Sequence, residues 1–111
     1  MKWQNTDGAN SSDIMTETIR VITHVTALSG KEVAAKTLLK ELVEATRTEP
    51  GCLDYELLQS SVAPNDFVLV EEWQSDAAFN AHMMTPQVQE ALLEGEMLLA
   101  SPPDVRRYKL V

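Results

Sequence analysis

The sequence predicts an α+β domain with the element order β-α-β-β-α-β, a four-stranded antiparallel sheet with its helices on a single face. Three observations carry this. Period-two runs of apolar and β-branched residues occur in four places. A helical stretch free of Gly and Pro follows the first run, and a second helical stretch with its own capping residues follows the third. At 111 residues the chain has the length of one domain, and a hydrophobic content of 44% supplies a modest core.

Taken in order, Thr18 to Thr26 (TIRVITHVT) alternates Ile19, Val21, Thr23 and Val25 with Arg20, Ile22, His24 and Thr26, the signature of a strand. Ser29-Gly30 breaks it. Lys31 to Thr46 is built of good helix formers, and Ala35, Leu38, Leu39, Leu42 and Thr46 define its buried stripe. Pro50-Gly51 stops this helix. Leu53 to Gln59 alternates Leu53, Tyr55 and Leu57 with Asp54, Glu56 and Leu58. Pro64-Asn65-Asp66 signals a turn, and Phe67 to Trp73 (FVLVEEW) is the strongest strand, so the two runs form an antiparallel hairpin. Ser75 caps a helix that starts at Asp76. Thr85 caps its restart, with Pro86 at the first helical position, and Ser101-Pro102-Pro103 ends it. Val105 to Val111 closes the sheet. The whole is a ferredoxin-like arrangement.

Residues 1–17 begin MKWQNTDGANSSDI, rich in Asn, Ser, Asp and Gly, and read as a flexible extension to a domain spanning 18–111. An arm docked through Trp3 is the alternative. The extension lacks the apolar core of a signal peptide, and no run reaches the roughly 18 apolar residues of a membrane span, so a cytoplasmic protein is expected, with no membrane partner. Nine Lys and Arg against seventeen Asp and Glu give a net charge of −8, a field that repels a phosphate backbone and excludes nucleic acid as partner. The single cysteine, Cys52, makes neither an intrachain disulfide nor a thiolate zinc site.

No glycine-rich loop for a nucleotide is present, which excludes flavin or nicotinamide held in the Rossmann manner. The two histidines stand without a nearby ligand cluster, so no metal site is expected. The strand Phe67–Trp73 puts Phe67, Leu69, Glu71 and Trp73 on one face and Val68, Val70 and Glu72 on the other. Val68 and Val70 suit the helices, which sends Glu71 and Trp73 to the opposite face. A carboxyl beside an indole on a partly closed face is an acid/base candidate, because desolvation raises its pKa; a strand glutamate paired to a neighbouring basic residue is the structural alternative. His82, in the helix after Trp73, titrates nearest neutrality and is the natural general base, unless it serves only packing. Tyr55, Leu69, Trp73 and His24 are candidates to line a substrate pocket, with Trp73 stacking on a planar ring. Cys52 has no neighbouring base and an acidic setting that opposes a thiolate.

The runs Glu49-Pro50-Gly51-Cys52-Leu53-Asp54-Tyr55-Glu56-Leu57, Phe67 to Trp73, and Ala78-Phe79-Asn80-Ala81-His82 with Thr85-Pro86 resemble the antibiotic biosynthesis monooxygenase (ABM) domain family, over about residues 18–111. The resemblance implies a homodimer in which two sheets form an α+β barrel. It also implies oxidation of a quinol-like or polycyclic phenolic substrate by molecular oxygen, without metal, flavin or haem. Such chemistry needs a base to ionise the substrate in a dry pocket, and His82 or Glu71 is the candidate on the residues themselves. A haem-degrading branch carries an asparagine in the first strand; Val21-Ile22-Thr23-His24 has none. An isomerase branch acting on a small phosphorylated metabolite shares the histidine before Thr-Pro, but from Thr48 to Val105 there is no Lys or Arg, leaving Arg20, Arg106 and Arg107 for a phosphate. A non-catalytic dimeric ligand-binding domain is the third reading. The second copy is expected to cover an apolar sheet face bearing Tyr55, Leu57 and Trp73. Arg106, Arg107 or Lys109 would then meet Asp54, Glu56, Glu71 or Glu72, with Arg106 or Arg107 bonding a carboxylate of the other subunit.

Overall fold

In the computed structural model, which describes residues 17–111, strand β1 (Ile19–Thr26) leads through helix α1 (Glu32–Thr46) to the hairpin β2 (Cys52–Gln59) and β3 (Asp66–Trp73). Helices α2 (Asp76–Met83) and α3 (Pro86–Gly95) follow, and β4 (Asp104–Tyr108) ends the sheet. The proposed N-terminal extension, including Trp3, lies outside the described residues but for its last position, Glu17. The sheet is antiparallel with strand order β2-β3-β1-β4. The second helical region is two helices, because Thr85 and Pro86 start a new one: Thr85 Oγ1 accepts from Val88 N at 3.4 Å and donates to the carbonyl of His82 at 2.8 Å. β4 is shorter than the expected run to Val111.

Cross-strand pairs share a face, so the register assigns the two sides of the sheet. Ile19, Val21, Thr23 and Val25 of β1 lie with Phe67, Leu69, Glu71 and Trp73 of β3 and with Tyr55 and Leu57 of β2. This is the helix-covered side: Trp73 and Val21 are fully buried, and Phe79, Leu39, Val43 and Ala35 of the helices pack on it. The sequence reading placed Glu71, Trp73 and Tyr55 on the opposite face, and the structure reverses that. Three large side chains, Phe67, Leu69 and Trp73, offer far more apolar area to the core than Val68 and Val70 do, and one carboxyl on their face is accommodated by hydrogen bonds. The open face instead carries Arg20, Ile22, His24, Val68, Val70, Glu72, Leu58, Arg106 and Tyr108.

The same register corrects the expected role of Arg107. It points to the helix side, where its guanidinium donates to Asp76 Oδ1 at 3.0 Å and Asn80 Oδ1 at 2.8 Å and sits 4.7 Å from the Phe79 ring centroid. It is thus tied to α2 of its own chain. Arg106 lies on the open face, paired with Asp104 at 3.2 Å, and Lys109 reaches Glu17 at 3.6 Å.

Between α1 and β2 the chain reverses at Glu49-Pro50-Gly51-Cys52, closed by Cys52 N donating to Glu49 O at 3.2 Å. Pro50 suits the second position of this turn and Gly51, with φ +84°, the third. A Cβ on Gly51 would stand 2.6 Å from Cβ of Ala78 in α2. Gly51→Ala therefore meets both an unfavourable φ and a clash, and is expected to destabilise the fold by about 1–3 kcal/mol. Urea denaturation of the variant checks this; an unchanged midpoint would show that neither constraint operates.

Candidate active site

The α2 segment sets the position of the central histidine. Ser75 caps the helix by accepting from Ala78 N at 3.1 Å, and Phe79 and His82, three residues apart, share its buried side. His82 is 3% exposed. Its ring lies 4.7 Å from Trp73, 5.7 Å from Phe79 and 5.8 Å from Tyr55, centroid to centroid. His82 Nδ1 lies 3.0 Å from Glu49 Oε1, in hydrogen-bond contact, and Gln87 Nε2 donates to Glu49 Oε2 at 2.8 Å. Burial pushes the imidazole below its ordinary pKa, against the opposing pull of Glu49.

Glu71 comes from the neighbouring strand and is 3% exposed. Trp73 Nε1 donates to its Oε1 at 2.8 Å and Thr23 Oγ1 to its Oε2 at 3.3 Å. Burial raises the carboxyl to about 7; the two hydrogen bonds pull down and the charge of Glu49 pushes up. The Tyr55 hydroxyl is driven well above its ordinary value, chiefly by burial and then by Glu71, so it remains a neutral phenol. The Cys52 thiol is raised to about 11, by burial first and then by Glu49, Glu71 and Asp54, which removes it as a nucleophile at neutral pH.

A cavity of about 390 Å³ lies between the sheet and the three helices, within the roughly 300–1,000 Å³ usual for small-molecule sites. Its walls are largely Leu38, Leu39, Leu42, Leu69, Phe79, Met83, Val88 and Leu99, with Pro102, Pro103 and Val105 from the approach to β4. Thr23, Tyr55, Glu71 and His82 bring buried polar groups to it, and the exposed Glu96 and Ser101 also line it. Its lining contains no Lys or Arg among the described residues.

Four of the six residues singled out from the sequence meet here: His82, Glu71, Tyr55 and Leu69. Two do not line the cavity. His24 is exposed on the open face, set there by the parity of β1. Trp73 is fully buried behind the site, where it holds Glu71 and packs against His82, so it is not placed to stack on a substrate ring. Glu49, which opens the Glu-Pro-Gly turn, joins the site through His82 and was missed from the sequence: the turn is visible there, but its approach to α2 is not.

A family model described as antibiotic biosynthesis monooxygenase matches residues 18–92. An uncharacterized Synechocystis protein, sll1783, is 33% identical over 73 residues, 66% of this chain and 50% of its own length, so the chain spans half of that relative. A Bacillus subtilis protein named "Putative monooxygenase YcnE" is 35% identical over 71 residues, 64% of this chain and 75% of that one. Among solved structures, PA3566 from Pseudomonas aeruginosa superposes with a TM-score of 0.80 at 31% identity, over 87% of this chain and 98% of that one.

Proposed function

Because the chain belongs to the antibiotic biosynthesis monooxygenase family, we propose that it is a cofactor-independent oxygenase of a quinol-like or polycyclic phenolic molecule, with O₂ as co-substrate. The observation that carries this reading is the cavity: apolar walls, no Lys or Arg among the described lining residues, and the buried groups His82, Glu71 and Tyr55, of which the first two titrate near neutrality. An aromatic substrate with an acidic O–H or benzylic C–H gains from apolar burial and from a base within the same enclosure. A phosphorylated metabolite would find no Lys or Arg in that lining. Arg20 and Arg106 are on the other side of the sheet, and Arg107 is engaged with α2.

The chemistry balances without an added reductant. A proton leaves the substrate for His82, giving an electron-rich anion. That anion reduces O₂ and bonds to it, and protonation of the outer oxygen yields a substrate hydroperoxide. For a benzylic CH₂ flanked by a phenol ring, loss of water then leaves a carbonyl: one oxygen atom enters the product and the other becomes water. Glu71 in its acid form is the group assigned to return a proton to the peroxide. The dry walls limit competing hydrolysis and strengthen each charge interaction. The test is oxygen uptake by the purified protein with reduced naphthoquinols and anthrones in the presence of a metal chelator, with ¹⁸O₂ to follow the label. One labelled atom per product supports the reading; no uptake above the uncatalysed rate overturns it.

The protein is also proposed to be a homodimer, formed through the open face of the sheet rather than the Tyr55–Trp73 face first expected. Ile22, Val68 and Val70 form the centre of that face, and Leu58 and Tyr108 are about half exposed beside them, at 51% and 48%. Arg20 and Glu72, 3.8 Å apart, and Arg106 lie around this apolar strip. Surface charge pairs contribute little, about 0–1 kcal/mol each, so apolar burial should dominate association, and Arg106 is the arginine left to meet a partner carboxylate. Sedimentation equilibrium is expected to give twice the chain mass, with Val70→Ser weakening association by about 1 kcal/mol per site. A monomeric wild type would remove the dimer from the account.

A further inference from the structure

We infer that Glu49 is a positioning residue for the base: held by Gln87, it fixes His82 as the Nδ1–H tautomer and supplies the charge that stabilises the imidazolium formed when Nε2 takes a proton. The inference rests on the monooxygenase reading for its catalytic consequence, but its structural half stands on geometry alone. His82 is 3% and Glu49 10% exposed, and their contact is 3.0 Å. Both carboxyl oxygens of Glu49 have a donor, His82 Nδ1 on one and Gln87 Nε2 on the other. A carboxylate acceptor at Nδ1 requires the proton there, which leaves Nε2 as the basic nitrogen.

Three separate segments are brought together for this contact. Glu49 comes from the turn after α1, His82 from the last turn of α2, and Gln87 from the first turn of α3. Pro50 and Gly51 set the turn, and Thr85 joins the two helices by its bond to the His82 carbonyl. A purely structural ion pair in such a setting is weakly stabilising, because desolvation offsets much of the attraction. The arrangement has a clear use when a proton arrives on a ring otherwise enclosed by Trp73, Phe79 and Tyr55, where an unpaired cation would be costly. The other titratable or charged groups around His82 do not supply this. Tyr55 is a neutral phenol, Glu71 has its oxygens on Trp73 and Thr23, and Arg107 lies over Phe79 with Asp76 and Asn80 as partners.

Nitrogen-15 NMR of the imidazole rings tests this without any substrate. His24→Gln removes the other imidazole and assigns the signals of His82. The wild type is expected to show the Nδ1–H tautomer. In Glu49→Gln the amide oxygen still accepts from Nδ1 but the charge is gone, so the His82 titration should move to lower pH by about 1–3 units. In turnover with a quinol, the acid limb of the kcat/KM profile should move with it. An Nε2–H tautomer in the wild type, or a His82 titration unmoved in Glu49→Gln, overturns the inference; should that variant fail to fold, the wild-type tautomer still decides. Absence of oxygen uptake would sink the monooxygenase reading and leave the NMR result to stand or fall separately.

Discussion

His82→Ala is expected to lower kcat for quinol oxidation by on the order of a hundredfold, the usual contribution of a positioned general base. The geometry supports this size of effect in two ways. The imidazole lines the cavity, and its Nδ1 is already committed to Glu49, so its remaining nitrogen is the one available to substrate. No other buried side chain lining the cavity has the same capacity: Tyr55 stays protonated, and Glu71, raised to about 7, is only partly ionised at neutral pH. The variant also leaves the Glu49 carboxyl with Gln87 alone, a loss worth about 1–3 kcal/mol of stability. Rates should therefore be compared well below the variant's unfolding midpoint, with near-UV circular dichroism to confirm packing around Trp73. An unchanged rate in a folded variant would take His82 out of the mechanism and leave Glu71 as the base.

The order of elements was legible in the sequence because each one carries its own local signal. The strands alternate, α1 has a continuous apolar stripe, and Ser75, Thr85 and Pro86 mark helix starts that the structure places within a residue. Which face of the sheet meets the helices was not legible, because alternation separates two faces without saying which is covered. Val68 and Val70 suggested the wrong side, and each face of β3 carries one carboxyl, Glu71 or Glu72, so charge could not decide between them; the buried side is the one with Phe67, Leu69 and Trp73. The parity of His24 gave no decision on its own, and only the pairing of β1 with β3 put it opposite the site. Glu49 was illegible for a different reason. Its contact to His82 joins residues 33 apart in the chain, through a tertiary approach of the turn to α2 that no local pattern records.

The buried carboxyl of Glu71 makes stability depend on pH in an unusual direction. Glu71 ionises at about 7 in the folded chain against an ordinary 4.5. The folded state thus holds the proton more tightly than the unfolded state does. Stability contributed by the neutral acid is fully present below about 4.5 and is lost as pH rises through about 7. A shift of this size corresponds to on the order of 3 kcal/mol. His82 acts oppositely: its folded pKa lies below the ordinary value, so its contribution is present above about 6.5 and is lost as pH falls. The two groups partly cancel in the wild type, and a variant is needed to separate them. Glu71→Gln keeps the shape of the neutral acid, with the amide oxygen accepting from Trp73 and the amide nitrogen donating to Thr23, and it cannot ionise. Urea denaturation from pH 5 to pH 8 should therefore find the variant close to the wild type at the acid end. Toward pH 8 it should become more stable than the wild type, by an amount approaching the order of 3 kcal/mol. A difference between the two proteins that stays constant across that range would mean that Glu71 titrates as an ordinary carboxyl, and would remove the protonated acid from the proposed reaction as well.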